Sequence, residues 1–132
     1  MDEQSLTIEA TQRSPRVVFD PATGHLTMSG ESYPEDASRF FGPILTRVKD
    51  FLAEKQRPQM VVDIGMIYFN SSSAKAIMNL FQLLEEAAED SIDVTVNWYF
   101  DPDDDMMEEM GEDFAADFEA VTFNLKPEPL NG

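Results

Sequence analysis

The sequence has no cysteine and a single histidine among its 132 residues. Disulfides and thiolate metal sites are therefore excluded. One imidazole is poor support for an ordinary zinc site or for a Ser–His–Asp triad. Cations are also scarce: nine Lys and Arg stand against 26 Asp and Glu, a formal net charge of −17. So few basic residues build no large basic patch, which argues against binding nucleic acid or an anionic membrane surface. No stretch approaches the ~20 apolar residues that cross a bilayer. The N-terminal MDEQSLTIEATQ lacks the basic region and apolar core of a signal peptide, so a cytoplasmic location is expected. Neither a Walker loop nor a GxGxxG motif occurs. No cofactor and no enzymatic activity are expected.

What remains fits one folded domain. The length is that of a single domain, and 42% of the residues are apolar. We place the domain at residues 1–126 and a tail at 127–132, which contains Pro127 and Pro129. The acids are unevenly spread. Fifteen of the 26 fall between Glu85 and Glu119, and no Lys or Arg occurs between Lys75 and Lys126. Such a run is either a solvated face or a docking surface for a basic partner. Asp101, Asp103, Asp105 and Glu112 match the first, third, fifth and twelfth positions of a calcium loop. Met106 stands where that loop turns on a glycine, and a strand rather than a helix precedes it, so no metal site is assigned.

The most informative stretch runs from Met60 to Ala88. Val61, Val62, Ile64, Met66, Ile67, Tyr68 and Phe69 form a nearly continuous apolar run, which suggests a strand covered on both faces. The period then changes. Ala74, Ile77, Met78, Phe81, Leu84 and Ala88 recur at helical spacing, with Leu80 and Leu83 widening the stripe. Between the two lie Asn70, Ser71, Ser72 and Ser73, where the first helical N–H groups have no intrahelical partner. One reading has the serines cap the helix. Another rests on the same geometry: a phosphate on a hydroxyl there meets free N–H groups and the positive end of the helix dipole. It is tolerated by the fold while it changes the surface charge by about −1.5 to −2.

The remaining elements are ordinary. Leu6 and Ile8 alternate in a short edge strand. Arg16–Asp20 and His25–Ser29 flank Pro21 and Gly24 and read as a hairpin, with His25 a surface residue. A first helix begins either with a capping box of Ser32 and Glu35 or with Pro34 as its first residue, and carries an apolar stripe to about Lys55. Gly42-Pro43 within it is a local conflict. Gln56–Gln59 connects it to the central strand. Ile92–Phe100 alternates clearly as a strand, residues from Asp101 start a third helix, and Ala120–Leu125 alternates as a last strand. Met106, Met107, Met110, Phe114 and Phe118 form the third helix's stripe, which Gly111 weakens. The order predicts an α/β fold: one mixed sheet with flanking helices.

Four blocks together resemble the SiaC family of bacterial regulatory phosphoproteins: Ser32-Tyr33-Pro34-Glu35-Asp36, Tyr68-Phe69-Asn70-Ser71-Ser72-Ser73-Ala74-Lys75, Trp98-Tyr99-Phe100-Asp101 and Asp104-Asp105-Met106-Met107-Glu108. The resemblance covers nearly the whole chain. It implies a fold like that of the STAS (anti-sigma-factor-antagonist) domains. It also implies a non-enzymatic partner switch. A histidine-kinase-like serine/threonine kinase adds a phosphate, a PP2C-like phosphatase removes it, and the unmodified form binds and activates a GGDEF diguanylate cyclase. Cyclic di-GMP then rises and biofilm or aggregation follows. The acceptor implied is Ser71, where the family commonly has Thr; Ser72 is a rival. Asn70, Ser72, Ser73 and Lys75 are expected to shape the kinase-facing surface, with Tyr33, Pro34 and Glu35 beside it. The alternative is a constitutive acidic binding module whose serines only cap a helix.

Overall fold

Alternating and helical stretches follow one another along the chain, and the computed structural model, which describes residues 5–54 and 59–130, arranges them around one sheet. The elements are β1 (Leu6–Ile8), β2 (Arg16–Asp20), β3 (His25–Ser32), α1 (Ala37–Ala53), β4 (Gln59–Phe69), α2 (Ser71–Glu89), β5 (Asp93–Tyr99), α3 (Asp105–Asp117) and β6 (Thr122–Lys126). The six strands lie in the order of the chain. β1, β2 and β3 pair antiparallel; β3 to β6 are parallel. The predicted mixed α/β sheet is therefore observed. The predicted end of the first helix at Lys55, and most of the Gln56–Gln59 connection, fall outside the described residues.

Three successive crossovers, through α1, α2 and α3, each step one strand in the same direction. Parallel crossovers share one hand, so the three helices fall on one face of the sheet. Burial follows. Leu26, Met28, Met60, Val62, Ile64, Val94, Val96 and Trp98 are buried beneath the helices. Their neighbours Thr27, Val61, Asp63, Thr95 and Asn97 are only half-buried. This corrects the expectation that the central strand is covered on both faces. β4 alternates like its neighbours, and its open-face positions include Asp63 and Gly65.

The open face is tied together by side chains. His25 Nε2 donates to Asp63 Oδ2 at 2.6 Å, and Asn97 Nδ2 donates to Asp63 Oδ1 at 2.8 Å. Asn124 Nδ2 donates to Asn97 Oδ1 at 3.0 Å. The chain of bonds spans β3 to β6. His25 is thus exposed, as expected, but has a carboxylate partner. Burial, then the charges of Asp63 and Glu128, push the Tyr99 phenol above the usual tyrosine range.

Under the helices the core is aromatic. Phe81 packs edge-on against Phe114 at 5.0 Å between centroids, and Trp98 against Phe114 at 5.5 Å. Trp98 Nε1 donates to the Met107 carbonyl at 3.0 Å, which fixes the indole under α3. Gly111 has a packing role that its low helix propensity conceals: a Cβ there would lie 2.6 Å from Trp98 Cδ1 and 2.7 Å from Leu125 Cδ2. The predicted stripes hold except at their edges. Met78 is 46% exposed and Met106 75%. The acidic C-terminal end of α2 has a structural use, since the Glu85 carboxylate accepts from the Ala120 N–H at 3.1 Å.

Two glycine substitutions separate propensity from packing. Gly111→Ala should destabilise by about 1–3 kcal/mol, because an indole fixed by a hydrogen bond must move. Gly42→Ala, in α1 with nothing within 4 Å of the added methyl, should stabilise by up to about 1 kcal/mol. Urea unfolding followed by Trp98 fluorescence reads both; a stabilising Gly111→Ala would contradict the packing of α3.

Candidate functional site: the β4–α2 junction

The junction is built on the last residues of β3 and β4. In their pairing Gly30 faces Met66, yet Glu31 faces Tyr68, so Ile67 is an extra residue in β4. This β-bulge shifts the alternation by one. Met66 and Phe69 point into the core, while Ile67 and Tyr68 between them are 68% and 51% exposed. Bulges re-aim side chains in this way. Gly30 supplies the matching backbone kink on β3 with φ +115, a conformation that suits glycine alone.

β4 ends at Phe69 and the chain turns directly into α2. The Asn70 N–H donates to the Ser32 carbonyl at 3.0 Å, so the end of β3 holds the turn. The N-cap is Asn70, with extended backbone (φ −84, ψ 177). Its Oδ1 accepts from the Ser73 N–H at 2.9 Å, and its carbonyl accepts from the Ala74 N–H at 2.9 Å. The expectation that the serines cap the helix is corrected on this point: Asn70 does so, and the serines are the first three helical residues.

The three hydroxyls then divide. Ser73 is fully buried, and its Oγ lies 2.7 Å from the Oγ of Ser32, which is also fully buried. The pair satisfies two polar groups inside the core and ties α2 to β3. Ser73 therefore does not shape the outer surface, contrary to expectation. Ser71 and Ser72 are exposed. No group among the described residues accepts from their backbone N–H groups, and α2 carries no acid in its first turn. An anion placed there meets free donors and the positive helix end without a competing carboxylate.

Around this point the structure gathers most of the residues expected beside it. Tyr33 follows Ser32, and its ring lies 6.0 Å from that of Tyr68. Pro34 is half-buried and Glu35 exposed, the latter 3.9 Å from the Arg13 guanidinium. Neither Ser32 nor Pro34 starts α1. Its N-cap is Asp36, whose Oδ1 accepts from the Arg39 N–H at 3.1 Å, because Ser32 is committed to strand pairing and to Ser73. Ser72 and Lys75 line a groove of about 380 Å³ between α1 and α2, facing Ser38 and Gly42.

Beyond the ends of β4 and β5 lies a cleft of about 760 Å³ that sequence reasoning missed. Its floor is Met66, Ile67, Tyr99 and Phe100, with Leu130 of the tail lying against Gly65. Its rim carries Asp101, Asp103, Asp104, Asp105 and Met106. Asp101 and Asp104 are occupied by backbone N–H groups, of Asp103 at 2.8 Å and of Met107 at 3.1 Å. Among the described residues no cluster of acids or histidine is arranged to hold a metal ion. The bulge that turns Tyr68 outward leaves no sign in the sequence, since an apolar residue in an apolar run reads as core.

Comparison with known proteins gives a consistent result. The SiaC family of regulatory phosphoproteins matches residues 8–128. An uncharacterized protein of Pseudomonas aeruginosa (strain UCBPP-PA14) is 38% identical over 112 residues, 85% of this chain and 88% of that protein. The crystal structure of apo-SiaC from Pseudomonas aeruginosa is similar with a TM-score of 0.86 at 35% identity, covering 93% of this chain and 98% of that one. A crystal structure of the diguanylate cyclase SiaD in complex with its activator SiaC, also from Pseudomonas aeruginosa, matches with a TM-score of 0.87 at 36% identity, covering 92% and 98%.

The junction makes a stability prediction. Asn70→Ala should cost about 1 kcal/mol as a lost cap, whereas Ser71→Ala should stay within about 0.5 kcal/mol as a surface change. Ser73→Ala should cost about 1–3 kcal/mol by stranding the Ser32 hydroxyl, and Ser32→Ala added to it should recover part of that loss. Denaturant midpoints of the four variants test the assignment. Equal losses for Asn70→Ala and Ser71→Ala would contradict it.

Proposed function

Because the chain belongs to the SiaC family of regulatory phosphoproteins, we propose that it is a non-enzymatic bacterial signalling adaptor switched by a phosphate on Ser71. In this reading the unphosphorylated protein binds and activates a GGDEF diguanylate cyclase in the cytoplasm, raising cyclic di-GMP and favouring biofilm or aggregation. A serine/threonine kinase adds the phosphate and a PP2C-like phosphatase removes it. The protein contributes a surface and an acceptor hydroxyl, and no catalytic group.

The observation that carries the reading is the division of labour at the start of α2. Asn70 caps the helix and Ser73 serves the core, so Ser71 stands exposed with no structural duty. A residue so placed is free to be modified. The phosphate brings a charge of about −1.5 to −2 and three acceptor oxygens. The free N–H groups of Ser71 and Ser72 and the helix dipole stabilise it, so the fold is kept. The surface is not kept. A partner that packs against Tyr68, Ile67 and the start of α2 must then strip the water from a dianion and bury it. The crystallised complex of the similar SiaC with a diguanylate cyclase, for which SiaC is the activator, supports the choice of partner.

Ser72 is exposed too, but it faces the groove between α1 and α2 beside Lys75. Ser71 adjoins Asn70 and the exposed Tyr68, which favours it as the acceptor. The constitutive-module alternative loses its main support, since the serines are not the cap.

Ser71→Ala should bind the cyclase as wild type does and should not be phosphorylated. Ser71→Asp should bind about tenfold or more weakly. Titration calorimetry against the purified cyclase, with kinase assays alongside, reads both. A Ser71→Ala protein that is phosphorylated as fast as wild type would move the acceptor elsewhere.

A further inference from the structure

Five large apolar side chains are notably exposed among the described residues: Tyr33, Ile67, Tyr68, Met78 and Met106. Four of them gather at one end of the sheet. Tyr33 and Tyr68 pair edge-on. Ile67 and Met106, the two most exposed at 68% and 75%, line the acidic cleft. Apolar residues that are exposed together mark interaction sites, whereas single ones mean little. The bulge at Ile67 supports the same point, because it turns Tyr68 outward where the alternation of the strand would bury it.

We infer that the face made by Ile67, Met106 and the Asp101–Asp105 rim docks a protein segment that presents an apolar side chain flanked by Lys or Arg. The inference rests on the proposed function and extends it, naming the chemistry of the partner segment and the face that it occupies. Charge complementarity selects this occupant. Asp103 and Asp105 are exposed and have no cationic partner among the described residues. No Lys or Arg of this chain lies between Lys75 and Lys126 to supply one. A nucleic acid or an anionic lipid surface is repelled by the rim and by a net charge of −17. A second copy of this chain carries the same charge and is repelled as well. A basic, partly apolar segment of a different protein satisfies both parts of the surface. The apolar stems of Lys and Arg suit a floor of Met66, Tyr99 and Phe100 while their heads reach the carboxylates.

The test uses the full-length protein and the purified GGDEF diguanylate cyclase from the same organism. Binding is measured for wild type, for Ile67→Ser with Met106→Ser, for Asp103→Asn with Asp105→Asn, for each of these Asp→Asn changes alone, and for Asp93→Asn, a single-charge change at the opposite end of the sheet that matches the single variants. All the substituted side chains are exposed, and equal melting temperatures verify that the variants fold. The expected result is a Kd raised about tenfold or more by the apolar pair. For the aspartate pair, weaker binding with a flatter dependence on salt is expected. Asp93→Asn should match wild type. If wild type binds and all variants bind equally, the docking face is elsewhere and the inference falls, while the proposed function stands. If only the aspartate pair matters, the apolar part is overturned. If the apolar pair instead converts a dimer to a monomer in light scattering, the occupant is a second copy and the inference is wrong. If wild type does not bind the cyclase at all, the proposed function fails and this inference with it.

Discussion

The structure depends on one topological constraint. Once β3 to β6 are laid down in order as parallel neighbours, crossovers of one hand put all three helices on the same face. The same constraint brings every strand-to-helix connection to one end of the sheet. There the Ser32–Asp36 turn, the Asn70 turn and the Asp101–Asp104 turn meet, joined by the tail after β6. In open α/β sheets, ligands bind outside the carboxyl ends of the strands. Here that end carries exposed hydroxyls, exposed apolar side chains and acids, while the helix-free face of the sheet is crossed by a polar chain from His25 to Asn124.

Within that frame the β4–α2 junction divides its hydroxyls between the core and the surface. The duties that fix the turn fall on the half-buried Asn70 side chain, bonded to the Ser73 N–H, and on the buried hydroxyl pair of Ser32 and Ser73. Ser71 and Ser72 are left with their hydroxyls and N–H groups unused. Modification at such a point changes electrostatics at the surface by more than a unit charge and leaves the core bonds intact. The bulge at the end of β4 turns Tyr68 outward just before the junction, so under the proposed function a charge on Ser71 would act on a partner packed there.

Much of this was legible in the sequence. Ala37, Phe41, Ile44 and Val48 in α1, and Val94, Val96 and Trp98 in β5, show their periods cleanly because one face of each is buried and the other is wet. The β4 run misled because its open-face positions are filled by Val61, a glycine under Leu130 and the bulged Ile67, so alternation is masked. Capping was read from residue type, and Asn and Ser are nearly equal there; only the backbone shows that Asn70 stands outside the helix and Ser71 within it. Ser32 looked like a cap for α1, but its carbonyl and hydroxyl are taken by Asn70 and Ser73, contacts made across 38 and 41 residues that local patterns do not carry. The family resemblance, resting on four short blocks, agrees with the match over residues 8–128.

The central claim is that Ser71 is the modified residue. The measurement that tests it most directly is intact-mass and peptide mass spectrometry of the protein isolated from its own cells, before and after treatment with a PP2C-type phosphatase. The account predicts one phosphate, on Ser71, that the phosphatase removes. A phosphate on Ser72 with none on Ser71, or no phosphate under any growth condition, would contradict it.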